Sequence, residues 1–129
     1  MNRTSEMMLN HLHSDIAFGA SRGDLRNDIW TVTWRFGVKR IEDKARDNVF
    51  SIHNVTLAAK YRGRGYFTEL LRHLDERPEL GGRRFDWIFL EQVNHRLAGH
   101  LRRELHYKSE FGMVIDCWRR VTGQLEMKL

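Results

Sequence analysis

The chain has 129 residues, 41% hydrophobic, 30% charged and 11% aromatic, and a net charge of +5. This length predicts one domain with a sizeable core, the aromatic content excludes disorder, and the lone cysteine, Cys117, excludes a disulfide scaffold and points to a reducing compartment. The excess charge is uneven: residues 60–108 carry 11 Lys+Arg against 7 Asp+Glu, so an anion site is to be sought there.

The first 14 residues hold one Arg and no long apolar run, which is unlike a secretory signal. No stretch approaches the ~18 consecutive apolar residues of a membrane span, so a soluble cytoplasmic protein is expected. Residues 5–13 predict a short helix with Met8, Leu9 and Leu12 on one face, and residues 19–28 read as turns. Residues 29–38 alternate Trp30, Val32, Trp34 and Phe36 with Thr31, Thr33 and Arg35, which is strand periodicity. Residues 42–48 read as a charged loop, and 49–57 as a more central strand. A Gly-Arg turn then leads into a helix with Phe67, Leu70, Leu71 and Leu74 at helical spacing, ended by Pro78 and Gly81-Gly82. Residues 85–91 predict a strand, 94–105 a helix with Asn94 as N-cap, and 113–121 a last strand. Strands interspersed with helices indicate an α/β or α+β sheet carrying packed helices.

The segment richest in chemical meaning is VTLAAKYRGRGYFTELLRHL, residues 55–74. A strand enters a turn with glycines at 63 and 65 and passes straight into a helix. Unpaired N–H groups and the helix dipole favour an anion there, glycines let a phosphate approach the backbone, and Arg62 and Arg64 add charge. No GxxxxGK[ST] sequence is present, and Thr68 breaks the dinucleotide pattern GxGxxG.

The same segment resembles the coenzyme-binding motif of the GNAT (N-acetyltransferase) superfamily, Q/R-x-x-G-x-G/A. Here it reads Arg62-Gly63-Arg64-Gly65-Tyr66-Phe67. Arg62 and Gly65 match, and Phe67 replaces the expected small residue. LEQVNHRLAGHLRRELHYKSE resembles the family's next strand and helix, with Asn94 in place. The resemblance spans residues 28–121 and is most specific over 55–74.

This resemblance implies a single compact domain over residues 1–129, of α+β class, with a reduced N-terminal part on the acceptor side. Its central sheet would be mixed but mostly antiparallel, with helices on both faces and splayed central strands. Acetyl-CoA would be the cofactor. Backbone groups of Val55, Thr56 and Leu57 would pair with its pantetheine arm. The turn Arg62, Gly63, Arg64, Gly65, Tyr66 and Phe67 would bind its pyrophosphate, with Asn94 beside it. An amine, more readily one on a protein than on a small molecule, would enter from the other side. His53 is the candidate base. The thiolate acid is usually a Tyr in the helix after Asn94; Leu101 or Arg102 stands there, and Tyr107 is the nearest phenol. Leu125, Met127 and Leu129 suggest a homodimer surface within residues 113–129.

The competing reading is a GNAT-like protein with little or no turnover that binds a partner protein or nucleic acid. The basic balance and Arg96, Arg102 and Arg103 are the support for nucleic acid, but no nucleic-acid motif accompanies them. Cys117 reads as a buried apolar residue. The histidine spacings match no zinc signature, so no metal is expected.

Overall fold

The structure is a computed structural model and describes residues 1–122. In chain order it contains α1 (Arg3–Ala17), β1 (Arg22–Arg26), β2 (Trp30–Ile41), β3 (Lys44–Leu57) and α2 (Tyr66–Glu76). A small hairpin of β4 (Glu79–Leu80) and β5 (Arg83–Arg84) follows, then β6 (Trp87–Val93), α3 (His95–Leu105), β7 (Lys108–Phe111) and β8 (Ile115–Arg120). Among the described residues no helix is long and apolar enough to cross a membrane.

Six strands form one sheet in the order β1-β2-β3-β6-β8-β7. Every neighbouring pair is antiparallel except β3 and β6, which run parallel at the centre. This is the mixed, mostly antiparallel α+β sheet expected. The alternation read in residues 29–38 holds: Trp30, Val32, Trp34 and Phe36 are buried on one face of β2. Phe36, Phe50 and Phe85 meet with ring centroids 5.7–6.1 Å apart, a tilted and edge-on aromatic cluster at the middle of the core.

Three sequence expectations need correction. Residues 19–28 are not all turn, because Arg22–Arg26 pair with β2. Residues 42–48 are not a loop either: only Glu42 and Asp43 turn, both at positive φ, and Lys44 onward is strand. The high charge of this hairpin reflects solvation of its exposed end, a condition that mimics a loop in sequence. The third is an edge strand, β7, which pairs with β8 although KSEF carries too little apolar pattern to mark one.

The helices also depart from expectation. Instead of lying on both faces, all three cover the same one. The buried side chains of α1 (Met8, Leu12), α2 (Leu70, Leu74) and α3 (Leu101) share one cluster with Trp34, Ile52 and Leu90 of the sheet. Side chains alternate across a strand, so Val49, Phe89 and Trp118 point the other way and form a second, smaller cluster with Ile41. No helix covers that cluster among the described residues. Long cationic side chains do so instead: Lys39 lies over the Phe89 ring, and Arg46 and Arg120 over Trp87.

Candidate active site

The parallel pair β3/β6 is in register from Val49–Trp87 to His53–Glu91 and then parts. The next residue on each strand is bent into the left-handed region: Asn54 at φ 54° and Gln92 at φ 56°. Asn54 is also the extra residue of a bulge against β2, where the pairing slips between Thr31 and Thr33. The bulge changes which face β3 presents. His53 points to the helix-free side, whereas Val55 and Leu57 pack toward the helices.

A cleft of about 1010 Å³ opens where the strands part. Val55, Thr56 and Leu57 form one wall, the 62–68 turn and helix start another, and Asn94, Arg96, Leu97, His100 and Arg103 a third. Beyond His53 the backbone of β3 still pairs with β2 but no longer with β6, which leaves one edge of Val55–Leu57 facing the cleft.

The turn suits an anion. Gly63 and Gly65 adopt φ of 73° and 74°, a conformation that costs an L-residue about 1–2 kcal/mol. A Cβ built on either glycine meets nothing within 4 Å, so the space in front of the turn is open. Gly65 is the N-cap of α2 and no side chain caps that end, so its first N–H groups point outward unsatisfied by a cap. Arg62 is anchored by its Nε donating to the Leu57 carbonyl at 2.6 Å, which fixes the turn against the end of β3. From the opposite wall Arg96 and Arg103 contribute charge, and Thr68 and His100 are joined at 2.8 Å across α2 and α3. In the sequence Arg96 and Arg103, with Arg102, offered support only for a nucleic-acid partner; in the fold the first two line the cleft. Their i,i+7 spacing on the face containing His100 was the available signal.

Of the residues expected at a cofactor, Val55, Thr56, Leu57, Arg62, Gly63, Gly65, Tyr66, Phe67 and Asn94 line this one cleft. Arg64 does not; it is exposed on the outside of the turn. Asn94 serves as the cap of α3, its Oδ1 accepting from the Leu97 N–H at 2.7 Å.

The two catalytic candidates have opposite placements. His53 stands on the last paired rung, partly exposed, with Nδ1 2.8 Å from Glu91 Oε2. Glu91 also binds Lys39. Burial pushes the Glu91 carboxyl up, but the hydrogen bonds and charges of Lys39 and His53 outweigh it and hold the group below the ordinary carboxylate range. Tyr107 is corrected: it is buried, outside the cleft lining, and its hydroxyl has no hydrogen-bond partner among the described residues. Burial, with the Asp75 charge nearby, drives its pKa upward, away from proton donation. Leu125, Met127 and Leu129 lie outside the described residues.

The sequence matches no protein-family model and no curated protein. Solved structures do match in shape. A mutant form of the AtaT toxin, bound to the C-terminus of the antitoxin AtaR and to acetyl-CoA, superimposes with a TM-score of 0.53 at 13% identity. The match covers 78% of this chain and 64% of that one, so the chain spans less than two-thirds of that structure's length. The chain has the GNAT fold. Arabidopsis thaliana NAA60 in complex with a bisubstrate analogue aligns at a TM-score of 0.48 and 15% identity, over 92% of this chain and 93% of that one. In this fold the glycine turn lines the cleft where the strands part, and the His53–Glu91 pair stands on the last paired rung, on the opposite face of the sheet.

Proposed function

We propose that the chain is an N-acetyltransferase that takes acetyl groups from acetyl-CoA and passes them to an amine of a polypeptide. The observation that carries this reading is the site at the parting of β3 and β6. A cleft with an uncapped helix N-terminus lies on one side of the sheet, and an oriented histidine lies on the other, one rung away. The chain's residues fit the cofactor: an open glycine turn and Arg62, Arg96 and Arg103 suit its phosphates, and the edge of Val55–Leu57, unpaired with β6 and occupied only at the Leu57 carbonyl that Arg62 holds, suits its amide-bearing arm. The neighbouring AtaT structure, solved with acetyl-CoA, supports the choice of cofactor.

Acetyl-CoA, when bound, supplies an activated thioester carbonyl. The chain's own work is to orient and to move a proton. Glu91, ionised, accepts the proton-bearing Nδ1 of His53 and fixes the ring, which leaves Nε2 to take a proton from an incoming ammonium. Lys39 keeps Glu91 charged and in place.

Calorimetric titration with acetyl-CoA tests the reading. Saturable binding is expected, weakened by about tenfold or more in Gly65→Asp, which puts a carboxylate where a phosphate would sit. Absence of binding at millimolar acetyl-CoA overturns it. Turnover is tested with labelled acetyl-CoA and an amine-bearing peptide. His53→Ala is expected to lower kcat about a hundredfold, with partial rescue by added imidazole. The burial of Tyr107 favours a second reading, a GNAT-fold protein that binds without turnover. Binding of acetyl-CoA with no transfer to any amine would establish that second reading.

A further inference from the structure

We propose that the acceptor polypeptide is acidic next to its reacting amine, and that Arg22 and Arg35 on the helix-free face hold it; this rests on the transferase reading above. The argument begins with the direction of side chains on β1. A Cβ on Gly23 would meet the Trp34 indole at 3.0 Å, so Gly23 faces the core, and Arg22, Asp24 and Arg26 face away from it. The Asp24 carboxylate confirms this, accepting from the Thr33 hydroxyl at 2.7 Å on the same face.

Arg22 stands directly opposite Arg35, and Arg26 opposite Thr31. Like charges facing each other across a strand pair destabilise a sheet. Exposed cations on β1 alone would be explained by protection of a sheet edge. That explanation does not extend to Arg35, which lies on the inner strand β2 and is nonetheless exposed. Among the described residues neither Arg22 nor Arg35 forms an ion pair. Two guanidinium forks side by side, with no carboxylate between them, form a receptor for one.

Their position ties them to the reaction. One rung of the sheet reads Asp24, Thr33, His53, Glu91 across four strands, and the adjacent rung on the same face reads Arg22, Arg35, Ser51, Phe89. Arg35 is thus a diagonal neighbour of His53, at about 7–8 Å between backbones. An extended peptide with its amine at His53 would bring its next side chains over the arginine pair.

The face is ill suited to single-stranded RNA, which needs free aromatic platforms along a continuous basic groove. Here Trp87 is covered by Arg46 and Arg120, Trp118 stacks on Phe89, and Asp24, Glu91 and Glu42 interrupt the positive field.

The test uses fluorescence anisotropy with three labelled hexapeptides that have a free N-terminal amine. Their second and third positions are Asp-Glu, Asn-Gln or Lys-Lys. The acidic peptide is expected to bind at least ~10-fold more tightly than the amide version, with the preference shrinking as salt is raised. Arg22→Glu and Arg35→Glu each remove the preference, and the double variant turns it toward the Lys-Lys peptide. Arg3→Glu, an equal change of charge on α1, leaves it intact. Equal binding of all three peptides, an unaltered preference in the double variant, or tighter binding of a single-stranded RNA of matched charge overturns the proposal. Calorimetry with acetyl-CoA, run in parallel on the unsubstituted protein, separates the two readings. A preference for the acidic peptide without acetyl-CoA binding keeps the arginine site and removes the transferase.

Discussion

Glu91 shows how one carboxylate can serve structure and chemistry together. It receives Lys39 and His53, one at each oxygen, at the last rung before the central strands part. Its pKa is held below the ordinary value against the effect of burial, so its charged form stabilises the folded chain. A depressed carboxylate contributes stability above its unfolded pKa and loses it as pH falls through the lower folded value. Glu91→Gln is therefore expected to lower the urea midpoint at pH 7, and the gap to the parent protein should close as pH drops below about 4. Urea titrations across that range measure it, and a gap independent of pH would show that the charge of Glu91 contributes nothing. His53 was legible in the sequence as a histidine on a central strand. Its partner was not, because Glu91 lies 38 residues away and only the parallel register brings the two together.

At the scale of elements, the opening of the sheet has a local cause. Asn54 and Gln92 follow the last paired residues and both take positive φ. Asn tolerates that region better than most residues, while a β-branched side chain there is strongly disfavoured. Asn54→Gly is expected to preserve stability and acetyl-CoA binding. Asn54→Val should cost about 1–2 kcal/mol and weaken acetyl-CoA binding in the same titration, because β3 can no longer turn Val55 and Leu57 into the cleft. Equal behaviour of the Gly and Val variants would separate the bend from the cleft. The sequence revealed the strands on either side of the bend because their alternation and apolar content are strong. The signal for the bend was small: the adjacent polar residues His53 and Asn54 shift the core-facing positions from Phe50 and Ile52 to Val55 and Leu57, a single slip in an otherwise regular alternation. Nine cleft-lining residues were legible because the resemblance to the coenzyme-binding motif runs from the end of β3 through the turn, and because Asn94 marks the start of the next helix. Arg96, His100 and Arg103 were not, since their role depends on how α3 lies against α2.

For the whole molecule, placing three helices on one face requires a tie between the two helices that border the cleft. Asp75 of α2 provides it. Its carboxylate accepts from Arg119 Nε at 2.9 Å and Nη2 at 3.3 Å, and from the Thr122 backbone N–H and hydroxyl. The remaining Arg119 nitrogen, Nη1, donates to the Leu105 carbonyl at the end of α3. One guanidinium on β8 thereby joins α2, α3 and the chain beyond the last strand. Both side chains are mostly buried, at 20% and 15% exposure, so removal of either leaves the other charge largely desolvated and without its counter-charge. Asp75→Ala is expected to cost about 3 kcal/mol, at the low end for a buried pair because some exposure remains. Replacing both groups by apolar ones, Asp75→Ala with Arg119→Met, should recover much of that loss, since no charge is then stranded. Urea unfolding of the two variants decides it, and a double variant no more stable than the single would mean that the link contributes through its hydrogen bonds to α3 and Thr122 rather than through compensation of charge.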